Sequence, residues 1–314
     1  MSDLALNPDH PADERWPRTL RVSRGLPTGV TNSRLRGQAF ERVSRDLYVP
    51  TGTLTHLEDR CRALLTVLPE GSAFCLATAT QLSDLPTPPG WSTDDIHVAV
   101  PTAVGLPRRH AVVSHRWQLP PEHVTAARGI PVVTAARTFL EFASRTSLEA
   151  VVAIGDAALR SGLTNDEEID DVVAGAHRRR GVVLARQAVR MLDPRAEAPT
   201  ESRVRVWMQL AGLPRATPNA WITDAFGQAF ARADLLVEEF ATVVEYEGGH
   251  HRDAAQFASD LRRRNRLQEL GFRVVHLEKS MLASRHEVVR TIAAVLRLQG
   301  WTGEPDYTFT SDWT

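Results

Sequence analysis

Acidic residues interrupt two apolar runs near the C-terminal end of this sequence, and they are where chemistry is most legible. Residues 230–248 hold two stretches rich in apolar and β-branched side chains, separated by a short Glu238-Glu239-Phe240 step. That is the pattern of two strands joined by a tight connection. Asp234 interrupts the first strand, Glu245 the second, and Glu247 follows two residues on. Side chains alternate faces along a strand, so Glu245 and Glu247 are expected on one face with Tyr246 on the other. Paired as a hairpin, the strands let Asp234 face Glu245. Strand interiors disfavour acids, and facing carboxylates repel. A divalent cation offsets that repulsion, and Mg²⁺ takes one or two carboxylates completed by water and phosphate oxygens.

The elements that must position these acids follow from periodicity and punctuation. A helix is expected over 201–210, with Thr200 as its N-cap. Residues 214–221 read as a loop, 221–226 as a first strand, and Phe226-Gly227-Gln228 as the turn into the Asp234 strand. After Gly248 come His250 and His251, which suit either a proton shuttle and phosphate contact or a solvent-exposed loop pair. Residues 253–270 read as a helix ended by Gly271. Its core side is expected from Phe257, Leu261, Leu267 and Leu270, with Gln256, Asp260, Arg263 and Arg264 close to one other side. The run Arg262-Arg263-Arg264 with Arg266 is either a solvated face, paired with Asp260 and Glu269, or a contact for nucleic-acid phosphates. A buried strand over 273–277 and a helix over 284–298 complete the region. The aromatic tail, with Trp301, Tyr307, Phe309 and Trp313, is expected to dock or to be disordered.

Five pieces of this region stand in a telling order: Glu201-Ser202-Arg203-Val204-Arg205, Arg232-Ala233-Asp234-Leu235, Val244-Glu245-Tyr246-Glu247-Gly248-Gly249-His250, Asp260-Leu261-Arg262-Arg263 and Gly271-Phe272-Arg273-Val274-Val275. Together they resemble the PD-(D/E)XK nuclease superfamily, and most closely its branch related to the very-short-patch-repair endonuclease. The resemblance covers roughly residues 195–300. It implies a restriction-endonuclease-like mixed sheet flanked by helices and a metal-dependent DNA endonuclease acting in repair or defence. It further implies catalytic roles for Glu201, Asp234, Glu245, Glu247 and His251. Mg²⁺ or Mn²⁺ would be held by Asp234, Glu245 and the backbone carbonyl of Tyr246, and would polarise the phosphodiester and activate water. Nucleic acid would meet His250, Arg262, Arg263, Arg264 and Arg266. Glu201 also has a purely local reading, as an acid compensating the helix dipole. The superfamily's usual lysine is absent; Glu247 holds its place, where the branch usually has Asp.

The preceding residues carry a second resemblance. Leu35–Pro50 alternates like a hairpin and resembles the wing that closes the winged-helix segment of abortive-infection antitoxins. Gly25, Pro27 and Gly29 break the helices expected upstream of such a wing, so a degenerate wing or a plain structural hairpin are both open. An amphipathic helix is expected over 54–69, a short helix near 73–82, strands at 96–100 and 111–116, and a strand leading into a helix over 129–138. That last phrase, with Asp156 downstream, resembles the central domain of the same antitoxins. His97 and His115 read as hydrogen-bonded structural histidines, Arg137 as a tie to carbonyls or carboxylates, and Asp156 as a buried polar anchor between helices. Asn165 and its neighbours signal a helix start. His177-Arg178-Arg179-Arg180 reads as a basic helix end favourable to the dipole, or as phosphate contacts.

The domain plan that follows is a flexible 1–17, a winged-helix-like 18–53, an antitoxin-like α+β region over 54–195, a nuclease-like domain over 196–300 and a tail over 301–314. The class is α/β, α+β overall. The 314 residues carry 43% hydrophobic side chains and a formal charge of −1, so any nucleic-acid surface must come from local arginine clusters. Cys61 and Cys75 lack metal spacing, and the simple reading is a reducing cytoplasm. No apolar run reaches spanning length, so no membrane partner is expected. DNA is the expected partner, with a protein partner or a homodimer also open. The alternative function is a non-catalytic, DNA-binding, antitoxin-like regulator on a degenerate nuclease fold.

Overall fold

The computed structural model describes residues 18–247 and 254–309, without the side chains of Glu247 and of residues 254–260. Among the described residues the chain is α+β: ten α-helices and three sheets, two of them mixed parallel and antiparallel. No helix among these residues is long and apolar enough to cross a membrane. The chain divides into two compact units. One runs to Asp84 and resumes over Gly90–Thr134; the other comprises Leu85–Pro89 and the chain from Ala135 onward.

The first unit begins with a single helical turn, α1 (Asn32–Leu35), capped by Thr31. Gly25 and Gly29 lie in the positive-φ region just upstream, where longer helices break. β1 (Phe40–Ser44) and β2 (Leu47–Pro50) then form the expected antiparallel hairpin. Leu47 and Val49 are buried with Cys61 and Leu64 of α2 (Leu57–Leu65), so one face of the hairpin belongs to the core. β3 (Ala73–Phe74) precedes α3 (Leu76–Leu82). The helix expected near residue 73 therefore starts later, because Ala73 and Phe74 are taken into the sheet between two neighbouring strands. β4 (Ile96–Pro101), β5 (Val112–Trp117), β6 (Val124–Ala127) and β7 (Ile130–Val133) complete a sheet of order β5-β4-β3-β7-β6.

Strand β6 is not evident from the sequence. It turns into β7 through Arg128 and Gly129, both at positive φ (52° and 73°), the requirement of a type I′ hairpin. The usual Asn or Asp is replaced by Arg128, which is held by Glu58 and, at 2.7 Å, by Asp84. The histidine expectation holds: His97 Nδ1 lies 3.0 Å from His115 Nε2. The two rings stack between Trp91 and Trp117.

The second unit starts with four helices: α4 (Ala135–Phe142), α5 (Leu148–Arg160), α6 (Asp166–Ala174) and α7 (Val182–Val189). Arg137 ties to the buried Glu141 at 2.7 Å, and Arg179 from the basic cluster reaches the same carboxylate at 2.6 Å. Asn165 caps α6 by accepting from the Glu168 amide. Asp156 is fully buried and accepts from the Asp193 amide (2.7 Å), Ser202 Oγ (2.7 Å) and the Arg205 guanidinium (2.6 Å). It thereby locks α5 to α8 (Pro199–Leu210), and this is why residues 135–195, grouped by sequence with the region from residue 54, lie in the second unit. α8 opens one residue before Thr200, with Ala198 as N-cap and Pro199 at the first helical position, where its fixed φ is suited and its missing N–H costs nothing.

A four-stranded sheet follows. β8 (Thr217–Thr223) begins well before the expected Trp221, because Thr217 to Ile222 already pair with β9 (Ala229–Val237). A single helical turn, Glu238–Phe240, leads into β10 (Thr242–Glu247), antiparallel to β9. α9 (Ala254–Glu269) crosses over to β11 (Arg273–Glu278), which pairs parallel to β10. Sheet order is β11-β10-β9-β8. α9 buries Leu267, whereas Leu261 and Leu270, expected on its core side, are exposed; Phe257 lies outside the described side chains. α10 (Arg285–Leu298), capped by Ser284, packs Val288, Val289, Ile292 and Leu296 into the core on α8 and β11. The tail docks: the Asp306 amide donates to the Ala211 carbonyl at 2.9 Å, and Phe309 is buried in that core.

Candidate carboxylate site of the second unit

Asp234 stands in β9 next to where the paired residues of β9 and β10 end, at Leu235 opposite Val244. Its Oδ2 accepts from the Tyr246 amide at 2.9 Å across that opening. Burial pushes its carboxyl above the usual range. The Tyr246 amide works against that rise, Glu245 adds to it by like-charge repulsion, and Arg263 and Arg232 oppose it. Glu201, in the first turn of α8, is also raised by burial. The Glu197 amide and the Asn219 carboxamide oppose that shift, and the charge of Asp234 reinforces it. Helix α8 and strands β9 and β10 thus bring Glu201, Asp234 and Glu245 into electrostatic reach of one another. Each end of the trio meets Asp234.

Glu245 differs in its company. Arg263 of α9 grips both its oxygens, at 2.6 and 3.2 Å. His276, its register neighbour on β11, sits with Nδ1 3.8 Å from Oε2. Of the arginines expected on nucleic acid, Arg263 is turned inward onto this acid. Arg266 pairs with Asp224 at 2.6 Å and lies over the Phe230 ring, while Arg262 and Arg264 are exposed. Tyr246 contributes its amide to Asp234. His250 and His251 lie outside the described residues, as does the Glu247 side chain.

The donor chemistry fits a hard divalent cation. Asp234 and Glu201 are oxygen donors, partly buried and short of positive charge, and an ion of the Mg²⁺ type needs only one or two carboxylates. Among the described residues no group of three or more His, Cys, Asp or Glu side chains stands assembled for a metal.

Two residues of this site were missed from sequence. Asn219 stands in β8 between the pairs Pro218–Leu235 and Ala220–Ala233, level with Asp234, with φ of +52°. A positive φ is rare outside glycine, and asparagine tolerates it best. Its Nδ2 donates to Glu201 Oε2 and, at 2.9 Å, to the Arg195 carbonyl. An asparagine in a run read as loop gave no signal. His276 was passed over because parallel register across a helix crossover is not written locally in either strand.

Fold and site together define an α+β protein whose second unit carries a cluster of acids on a mixed sheet under a basic helix. No family model matches the chain, and no solved structure matches it. Uncharacterized proteins from two strains of Mycobacterium tuberculosis are each 32% identical over 215 residues, covering 68% of this chain and 77% of theirs. The chain belongs to the family of these mycobacterial proteins.

Proposed function

We propose that the second unit is a metal-dependent DNA endonuclease site of the very-short-patch-repair-like type. The observation that carries this reading is the convergence of Glu201, Asp234 and Glu245 from a helix and two antiparallel strands, with two of the three pushed toward protonation by burial and mutual repulsion. Perturbed acids of this kind gather at functional sites. The order helix, three antiparallel strands, crossover helix, parallel strand also accords with the restriction-endonuclease-like core that the sequence resembles. Asp234 and Glu201 would hold Mg²⁺ or Mn²⁺, with Glu245 joining them. Such an ion supplies polarisation of the phosphodiester and activation of water. Arg263, once released from Glu245, is placed to hold a phosphate oxygen by a charge-assisted bond. Arg262 and Arg264 offer further phosphate contacts along α9.

One observation favours a second reading. The two-pronged Arg263–Glu245 pair neutralises an acid the reaction needs, which suits a DNA-binding regulator that has lost catalysis. Fold alone does not decide between them. The test is cleavage of single-stranded, duplex and branched DNA with Mg²⁺ or Mn²⁺ against EDTA, for wild type and Asp234→Ala. The endonuclease reading expects metal-dependent cutting that the variant lacks. Absence of cutting on every substrate, with DNA bound equally by both proteins, would leave the regulator.

A further inference from the structure

Beside the acids, the outer edge of the same sheet carries aromatic side chains in water. Trp221, on edge strand β8, is 63% exposed, and Phe226 at the tip of the β8–β9 hairpin is 94% exposed. Trp221 lies directly across from Arg232 in the strand register, and the guanidinium carbon stands 5.9 Å from the indole centroid. Arg232 is also paired with Glu197 just ahead of α8, so its plane is held rather than loose. Large aromatic groups are costly to leave in water, and Trp221 is left there with an arginine beside it. Arg266 lies over the half-buried Phe230 ring, two residues before Arg232 in β9.

Position gives the combination its meaning. Arg232 and Asp234 are two residues apart in β9 and share a face. Trp221 therefore stands one strand across from Asp234 and two residues, about 7 Å, along the strand from it, a step comparable to the spacing of successive nucleotides in an extended strand. An aromatic face with an arginine beside it is the standard chemistry for an unpaired base, because every base has a π-face and its phosphate is anionic. A paired base inside a duplex presents only its edges to such a surface.

We propose that Trp221, braced by Arg232, is a platform for one unpaired nucleobase of the strand whose phosphate faces Asp234. The protein would then act on DNA with unpaired nucleotides next to the scissile bond, in preference to matched duplex. The placement of the phosphate rests on the nuclease reading above; the stacking does not.

The test uses the full-length protein and fluorescein-labelled single-stranded DNA, matched duplex, and duplex with a short unpaired gap. Binding is read by anisotropy in EDTA for wild type, Trp221→Ala and Trp221→Phe. Trp221→Ala should weaken binding of single-stranded and gapped DNA roughly fivefold to a hundredfold, with Trp221→Phe recovering most of the loss and matched duplex changing less than about twofold. Equal binding of single strands by wild type and Trp221→Ala, or an equal loss on all three DNAs, overturns the platform. Cleavage of the same DNAs with Mn²⁺ separates the two readings. Binding loss as expected with no cutting keeps the platform and removes the nuclease. Cutting confined to matched duplex and indifferent to Trp221 removes the platform and keeps the nuclease.

Discussion

Two carboxylate clusters within the second unit show opposite ways of burying acid. Asp156 is lodged between α5 and α8, and burial raises its carboxyl, but every other influence on it is favourable: the Arg205 charge, the Asp193 amide and the Ser202 hydroxyl. Glu201 and Asp234 are raised by burial as well, yet each also feels another acid. The first cluster is saturated by donors; the second is left short of positive charge. Burial of acid thus yields a structural lock in one place and, in the proposed reading, a seat for a cation and a phosphate in the other. The lock also serves the site, since Ser202 and Arg205 stand on the helix that carries Glu201.

Breaking the saturated cluster should have the largest effect. Asp156→Ala strands the buried Arg205 and is expected to destabilise the protein by about 3–5 kcal/mol, read by denaturant unfolding of the second unit. Removing the unsaturated acid should do the reverse to stability. Asp234→Asn relieves repulsion, so it should leave the midpoint unchanged or higher while cutting metal-dependent cleavage roughly a hundredfold or more. A loss of stability as large as that of Asp156→Ala would erase the distinction between the clusters.

The pH dependence tests the raised carboxyls directly, since Asp156, Glu201 and Asp234 all share the upward direction. A carboxyl whose folded pKa is raised binds its proton more tightly folded than unfolded. Its contribution is fully present below the ordinary carboxylate range and is lost as pH rises through the raised value. Wild type should therefore lose stability between the ordinary carboxylate range and the raised values of Asp156, Asp234 and Glu201. Asp234→Asn should flatten that part of the thermal-melt profile, and an unchanged slope would contradict the raised carboxyl. A smaller effect is expected from Asn219→Ala. It removes a donor that orients Glu201 and should reduce cleavage about tenfold, as loss of an outer orienting group does, with a stability loss of roughly 1–2 kcal/mol because alanine tolerates the left-handed backbone less well than asparagine.

How far the sequence foretells these regions depends on the range of the interactions involved. The two strands with their acids, the last helix, the β1–β2 hairpin and the Asp156 anchor follow from alternation, periodicity and isolated polar residues in apolar surroundings. Those signals are local. The Arg263–Glu245 pair is not, because residues on one helix face look equivalent until the helix docks. Arg262, Arg263, Arg264 and Arg266 read as one basic run, and the structure divides them between an inward grip on Glu245, a pair with Asp224 and open solvent. Thr200 misleads as a cap because Pro199 occupies the better first position. The start of strand β8 is hidden by Pro218 and by the left-handed Asn219, both of which speak against a strand, and edge pairing with β9 overrides them.

The measurement closest to the central contrast is thermal unfolding in Mn²⁺ against EDTA for wild type, Asp234→Asn and Arg263→Ala. An ion bound only by the folded protein stabilises it. Wild type should gain a few degrees, roughly 2–4 °C for each kcal/mol of binding. Asp234→Asn should lose the gain, and Arg263→Ala, with Glu245 released, should enlarge it. An equal response of all three proteins to Mn²⁺ would contradict a cation seat at Glu201, Asp234 and Glu245.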